Sequence, residues 1–238
     1  MNRASDVERL YIHGAGRRGE DAWPTQDTGS GRFLAFPRES SIEEQVALLA
    51  RAGSDARLVV FAHSIGAVPA VIAAASGSLD VIGLVLIEPA LYDIARGRAP
   101  VERHIGIVSD ARALAAGGDL RGFWAMLRPL MFGGPFTAES WDRERPIAQH
   151  WAETNVPWGH GVRATMVRGV PTLVVTGGWN GEYEEIASVL AVEGAQHRVL
   201  SGAEHRPQDL PDFPAVVTEF ERRILRVSLN DVGVSSRS

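Results

Sequence analysis

Apolar and polar positions along this chain repeat with two periods. Short runs dominated by Val, Leu and Ile recur at Arg9–His13, Arg57–Ala62, Val81–Ile87, Thr172–Thr176 and His197–Leu200, with a briefer one at Arg32–Phe36. Runs of about four to eight such residues, bounded by turn formers, predict strands. Between them lie stretches with helical spacing: Ser41–Ala52, Ile65–Ala75, Glu182–Val192 and Pro214–Arg226. Ser41 stands three residues before Glu44, and Gly53 follows the last periodic position. That pattern predicts a capping box at one end and a stop at the other. Strands this continuously apolar, alternating with helices, predict an α/β fold. Its sheet is mostly parallel, of about six strands, with helices on both faces.

The rhythm breaks in the middle. Residues 91–165 have helical patterning and no strand-like run, and they hold four of the six tryptophans: Trp124, Trp141, Trp151 and Trp158. Phe123, Met126, Met131, Phe132 and Phe136 join them. The expectation is a helical insertion that caps a core made of 1–90 and 166–226. Its aromatic residues serve as its own core, or as the apolar lining of a pocket. From Val227 to Ser238 the helical period is lost, which predicts a frayed tail.

Composition narrows the chemistry. The chain has 238 residues, no cysteine, and no lysine among its 24 basic residues. Thiol nucleophiles, disulfides and cysteine-ligated metal sites are excluded, as are a Schiff-base lysine and a P-loop lysine. A formal net charge of −5 gives no reason to expect nucleic acid or an anionic membrane as partner. No apolar run approaches the length of a membrane span. No secretory signal is visible in the polar residues Met1–Arg9, so a cytoplasmic protein is the expectation.

Gly14, Gly16 and Gly19 follow the first strand with dinucleotide-binding spacing. That fingerprint needs a helix opening at the glycines, so that its N-terminus faces the pyrophosphate. Residues 20–26 carry no apolar helical stripe, and Pro24 interrupts them, so the motif is set aside.

Three other segments carry chemistry together. The strand ending Phe61–Ala62 is followed by His63, Ser64, Ile65 and Gly66 and then by an Ala-rich helix. A serine at such an apex is either an ordinary helix N-cap or an exposed nucleophile, with the helix N-terminus favouring a developing oxyanion. The first strand ends in His13-Gly14-Ala15-Gly16, and the last is followed by Ser201-Gly202-Ala203-Glu204-His205. Taken together, these resemble the α/β-hydrolase superfamily, with its G-x-S-x-G elbow, H-G-x-G loop and late histidine. Ala62 replaces the first elbow glycine. The resemblance implies Ser64 as nucleophile and His205 as general base. It implies an oxyanion hole from the backbone N–H groups of Ala15 and Ile65, and a His13 that orders its loop. The hairpin that usually leads the sheet is absent from the pattern, because the first glycine loop comes so early.

The acid departs from that pattern. Where relatives carry aspartate, in the loop after Thr172–Thr176, this chain has Asn180. An amide cannot supply the charge that stabilises the imidazolium. Glu88 follows the strand Val81–Ile87 and stands where haloalkane dehalogenases and zearalenone lactonases take their acid. Glu182 is a second candidate, and Asn180 itself, holding the histidine without charge, a third.

The resemblance therefore implies a serine carboxylic ester hydrolase with a Ser64–His205–Glu88 triad and no metal or organic cofactor. The expected substrate is a small to medium carboxylic ester or lactone with an apolar or aromatic part, and Trp124, Trp151 and Trp158 are candidate pocket residues. A carbon–carbon bond hydrolase or a thioesterase would use the same serine and histidine. A ligand-binding relative without catalysis is the reading from another class. Oligomeric state is not encoded in any of these features.

Overall fold

The structure is a computed structural model that describes residues 7–53 and 56–234. Among these, six strands form one parallel sheet: β1 (Val7–Ile12), β2 (Arg32–Leu34), β3 (Arg57–His63), β4 (Asp80–Ile87), β5 (Thr172–Thr176) and β6 (Gln196–Val199). Their order across the sheet is β2-β1-β3-β4-β5-β6, and every neighbouring pair is parallel. All the loops that leave the carboxyl ends of the strands therefore gather along one edge, where open α/β sheets carry their sites.

The central strands are buried on both faces, so they read as unbroken apolar runs rather than as alternating ones. On one face Tyr11, Val59, Phe61, Val85, Ile87, Leu173 and Val175 pack with Phe213, Val217, Phe220 and Ile224 of the last helix. The alternate set, Leu10, Ile12, Val60, Leu84, Leu86 and Val174, is fully buried on the other. Gly83 sits close under this layer: a Cβ there would lie 2.8 Å from Ile224 Cδ1, which would have to turn aside. The two edge strands are the short β2 and the partly exposed β6, which limits the open backbone that another chain could pair with.

Helix α1 (Ile42–Ala52) begins in the expected capping box. Ser41 Oγ accepts from the Glu44 N–H at 3.2 Å, and the Glu44 carboxylate accepts from the Ser41 N–H at 2.8 Å. Helix α2 (Ala67–Ala75) follows β3 after one tight turn and is almost wholly buried. After the glycines of 14–19 come only two 3-10 turns before β2, Gly19–Ala22 and Thr28–Ser30, so no α-helix opens at those glycines.

The described chain divides into two compact units, 96–156 and the remainder. The second unit holds α3 (Ala99–Ala116), α4 (Leu120–Phe132) and α5 (Trp141–Glu153). Phe123, Trp124, Leu127 and Ala148 are buried within it. The Trp124 indole N–H donates to Glu144 Oε2 at 2.6 Å, and Arg128 lies 3.2 Å from the same carboxylate. The division falls inside the 91–165 expected from sequence, for a physical reason. Asp93 accepts backbone N–H bonds from Gly159 (2.7 Å), His160 (3.0 Å) and Gly161 (3.0 Å), which ties 157–165 to the first unit.

Helix α6 (Gly181–Val192) lies between β5 and β6, and α7 (Phe213–Val234) closes the fold. Helix α7 continues to Val234, where a tail from Val227 is expected from sequence. A helix anchored by Phe213, Val217, Phe220 and Ile224 extends at one hydrogen bond per residue, with no new nucleus to form. The last four residues of the expected tail, 235–238, lie outside the described residues. Among the described residues no helix is long and apolar enough to cross a membrane.

Candidate active site

Three non-glycine residues among those described have positive φ: Ser64 (54°), Glu88 (44°) and Glu204 (46°). L-residues pay a steric penalty there, and in a folded chain such residues cluster where the surroundings hold a particular geometry. Two of the three are sequence-predicted site residues, and the third precedes His205.

Ser64 ends β3. His63 is still extended, a 3-10 turn spans Ser64–Gly66, and α2 begins at once. Reversing from strand to helix within one residue forces Ser64 into the left-handed region. The turn is pressed against the loop after β1. A Cβ on Gly66 would collide with the His13 carbonyl oxygen, and one on Gly14 would lie 3.0 Å from Ser64 Cβ. Ala15 follows Gly14 on that loop, and Ile65 opens the helical turn; both are half-buried.

Two buried histidines hold this arrangement. His13 Nδ1 lies 2.6 Å from the Gly14 carbonyl oxygen, and its Nε2 accepts the Phe36 N–H at 3.1 Å. The first nitrogen therefore carries the proton. Burial lowers the His13 pKa, and the Arg18 charge adds to it, while the bond to Gly14 opposes. His63 lies fully inside, and burial, followed by the charge of a protonated His205, pushes its pKa well down. As a neutral ring it donates from Nε2 to the His205 carbonyl oxygen at 2.8 Å. The residue before Ser64 thus anchors the backbone of His205.

Glu88 directly follows β4 and is completely buried. A buried carboxylate demands donors, and three converge on it. The Gly177 N–H reaches Oε1 at 2.6 Å, the Trp179 indole N–H reaches Oε2 at 3.0 Å, and His205 Nδ1 lies 3.3 Å from Oε2. The His205 ring is one-third exposed. It packs on His63 (centroids 4.8 Å apart), Tyr183 (5.1 Å) and Trp179 (6.2 Å).

Asn180 is occupied elsewhere. Its side-chain oxygen accepts the Glu182 N–H at 3.1 Å as the N-cap of α6, and its amide donates to Glu182 Oε1 at 2.9 Å. Glu182 also hydrogen-bonds Tyr92, whose hydroxyl pKa burial raises well above the ordinary value. Of the three residues weighed as partner of the histidine, Glu88 is the one whose carboxylate lies against His205 Nδ1, at 3.3 Å.

Trp124 and Trp151 belong to the second unit, where both pack on Phe132. Trp158 packs edge-on against Tyr92. Sequence reasoning missed the donors on Glu88. Gly177 and Trp179 are visible as the loop where an acid usually stands, but no local pattern says that they point at a carboxylate 89 and 91 residues away. Among the described residues, no group of three or more His, Asp or Glu is arranged to hold a metal ion.

Known structures agree with this architecture. The chain superposes on MenH from S. aureus with a TM-score of 0.66 at 16% identity, covering 92% of this chain and 94% of that one. It superposes on an α/β hydrolase, MGS-M2, from a deep-sea metagenome library, with a TM-score of 0.56, 15% identity, and 92% and 90% coverage. The chain has the α/β-hydrolase fold. An enol-lactonase from Burkholderia xenovorans LB400 shares the α/β-hydrolase fold with it as well, at a TM-score of 0.56, 16% identity, and 93% and 94% coverage. No protein-family model matches the sequence, and no curated protein matches it either. Within the α/β-hydrolase fold, the ends of β3 and β4 and the loop after β6 carry Ser64, Glu88 and His205.

Proposed function

We propose that this chain is a serine hydrolase that cleaves a carboxylic ester or lactone through Ser64, His205 and Glu88. One observation carries the reading. A fully buried carboxylate at the end of β4 faces His205 Nδ1, one strand away from a serine held at φ 54°.

In this mechanism Glu88 fixes the His205 tautomer with the proton on Nδ1, so Nε2 is free to accept the Ser64 proton as Oγ attacks the carbonyl carbon. The oxyanion forms against the backbone N–H groups of Ala15 and Ile65, at the positive end of the elbow turn and α2. The imidazolium gives its proton to the leaving oxygen, which departs as an alcohol. Water, activated by His205 in turn, attacks the acyl-enzyme, and the acid is released with Ser64 restored. No step calls for a metal or an organic cofactor. The enol-lactonase that shares the fold supports a lactone or ester as the substrate class.

The second reading, a ligand-binding protein without turnover, is favoured by Asn180 at the usual acid position and by Ala62 in place of the first elbow glycine. An active-serine phosphonate probe separates the two. Labelling of the parent, lost in Ser64→Ala, is the expected result for the hydrolase, and an unlabelled parent supports the binder. A panel of p-nitrophenyl esters and aromatic lactones then reads out the substrate class.

A further inference from the structure

The Trp179 side chain is unusual for its place. It is 44% exposed on a loop, so apolar burial does little to fix it. Its N–H nevertheless reaches a carboxylate with no exposed surface. The oxygen it reaches, Oε2, is also the one that faces His205, whereas Oε1 is held by the rigid backbone of Gly177.

We propose that Trp179 is a positioning residue of the Glu88–His205 pair: its indole N–H fixes the rotation of the carboxylate and tempers the hold of Oε2 on the protonated imidazole. The inference rests on the triad reading above. The Gly177 bond alone leaves the carboxylate one rotational freedom, which the second donor removes. A donor on Oε2 also draws off charge density that would otherwise stabilise the imidazolium. Loss of the bond should therefore strengthen the hold of Oε2 on the imidazolium.

The other groups facing His205 leave this effect readable. His63 titrates well below the ordinary histidine range and Tyr183 well above the ordinary phenol range, each chiefly through burial. Glu182 lies behind Tyr183, on which its charge acts. Arg206, next in the chain, is held by Asp209 at 2.5 Å and 2.9 Å and donates to the Ala22 carbonyl. Tyr183 also packs against Trp179, ring centroids 6.2 Å apart, and Trp179→Phe keeps an aromatic ring at that contact.

The test follows the His205 ring proton by NMR across pH, assigned with His205→Asn, in the parent, Trp179→Phe and Glu88→Gln. In parallel, the pH profile of kcat/KM on a p-nitrophenyl ester is measured for the parent and Trp179→Phe. Trp179→Phe is expected to raise the His205 midpoint by about half a pH unit, and to move the acidic limb of kcat/KM with it. Glu88→Gln is expected to lower the midpoint. In the parent, the Trp179 indole N–H resonance is expected to shift as His205 titrates, a readout that needs no substitution at Trp179. A His205 midpoint that stays put or falls in Trp179→Phe, while Glu88→Gln still lowers it, overturns the role given to Trp179 and leaves the triad standing. A midpoint that Glu88→Gln does not move overturns the triad and this inference together.

Discussion

The ends of β4 and β5 lie side by side in the sheet, and they use the same kinds of residue for opposite purposes. At the end of β4, Glu88 is buried at positive φ with its carboxylate turned toward His205. At the end of β5, Asn180 closes the N-terminus of α6 and hydrogen-bonds Glu182, a local task that any good N-cap residue performs. The β5 loop nevertheless serves the neighbouring strand, because Gly177 and Trp179 supply two of the three donors on Glu88. The loop after β5 thus holds a carboxylate of the neighbouring strand while its own Asn180 stays with α6.

The largest expected effect falls on the β4 side. Glu88→Gln keeps the size of the side chain and its backbone strain, and removes the charge. The amide also offers one acceptor oxygen where two donors and an imidazole now converge. Turnover of a p-nitrophenyl ester should fall by about 10³- to 10⁴-fold, with the circular dichroism spectrum unchanged. A rate within a few-fold of the parent would erase the contrast between the two strand ends.

The second effect tests whether the β5 loop supports its neighbour. A Cβ on Gly177 would collide with the Glu204 carbonyl oxygen, and backbone yields less than a side chain. Gly177→Ala should destabilise the fold by about 2 kcal/mol, lowering Tm by about 4–8 °C, and should reduce turnover by about tenfold as the His205 loop is displaced. Thermal melts and kinetics check the two halves separately. Unchanged turnover would mean that Gly177 matters to packing alone.

These two strand ends also show how far the sequence could be read. The strands were legible because a sheet buried on both faces needs apolar runs such as Leu173–Val175, and the strand expected at Thr172–Thr176 spans those residues. Helix α1 was legible because its capping box is local. Ser64 and His205 could be named as candidates because each sits in a short motif at a strand end. Glu88 came forward only because Asn180 stands where a carboxylate usually does. What could not be read depends on contacts distant in sequence. The three N–H bonds on Asp93 cross 66 to 68 residues and set the unit boundary at 156 rather than 165. The indole of Trp179 crosses 91 residues to reach Glu88. No local period records either.

A third, smaller effect belongs to Asn180 as a cap. Asn180→Ala removes the acceptor on the Glu182 N–H and the donor on the Glu182 carboxylate. A lost N-cap costs about 1 kcal/mol, so Tm should drop by about 2–4 °C. Ester turnover should stay within about threefold of the parent, because nothing that touches His205 has changed. A drop of about a hundredfold or more would instead place Asn180 in the catalytic machinery, and the two strand ends would no longer differ in kind.

The smallest expected effect is an absence of rescue. Asn180→Asp in the Glu88→Gln background restores a carboxylate to the position that relatives use. The new side chain still accepts the Glu182 N–H, and the partial charge at the α6 N-terminus favours a carboxylate there. It loses the donor toward Glu182 Oε1, so two carboxylates now face each other across the old hydrogen bond. Repulsion from Glu182 urges the new carboxylate out of the cap, while the cap and the helix dipole hold it in. Even outside the cap it would find the Gly177 and Trp179 donors already turned toward residue 88. Turnover of the double variant should therefore match that of Glu88→Gln within about threefold, measured on the same ester. Recovery of even a tenth of the parent rate would show that the β5 position can still serve as the acid, and that the difference between the two strand ends lies in one side chain rather than in the backbone and donors built around Glu88.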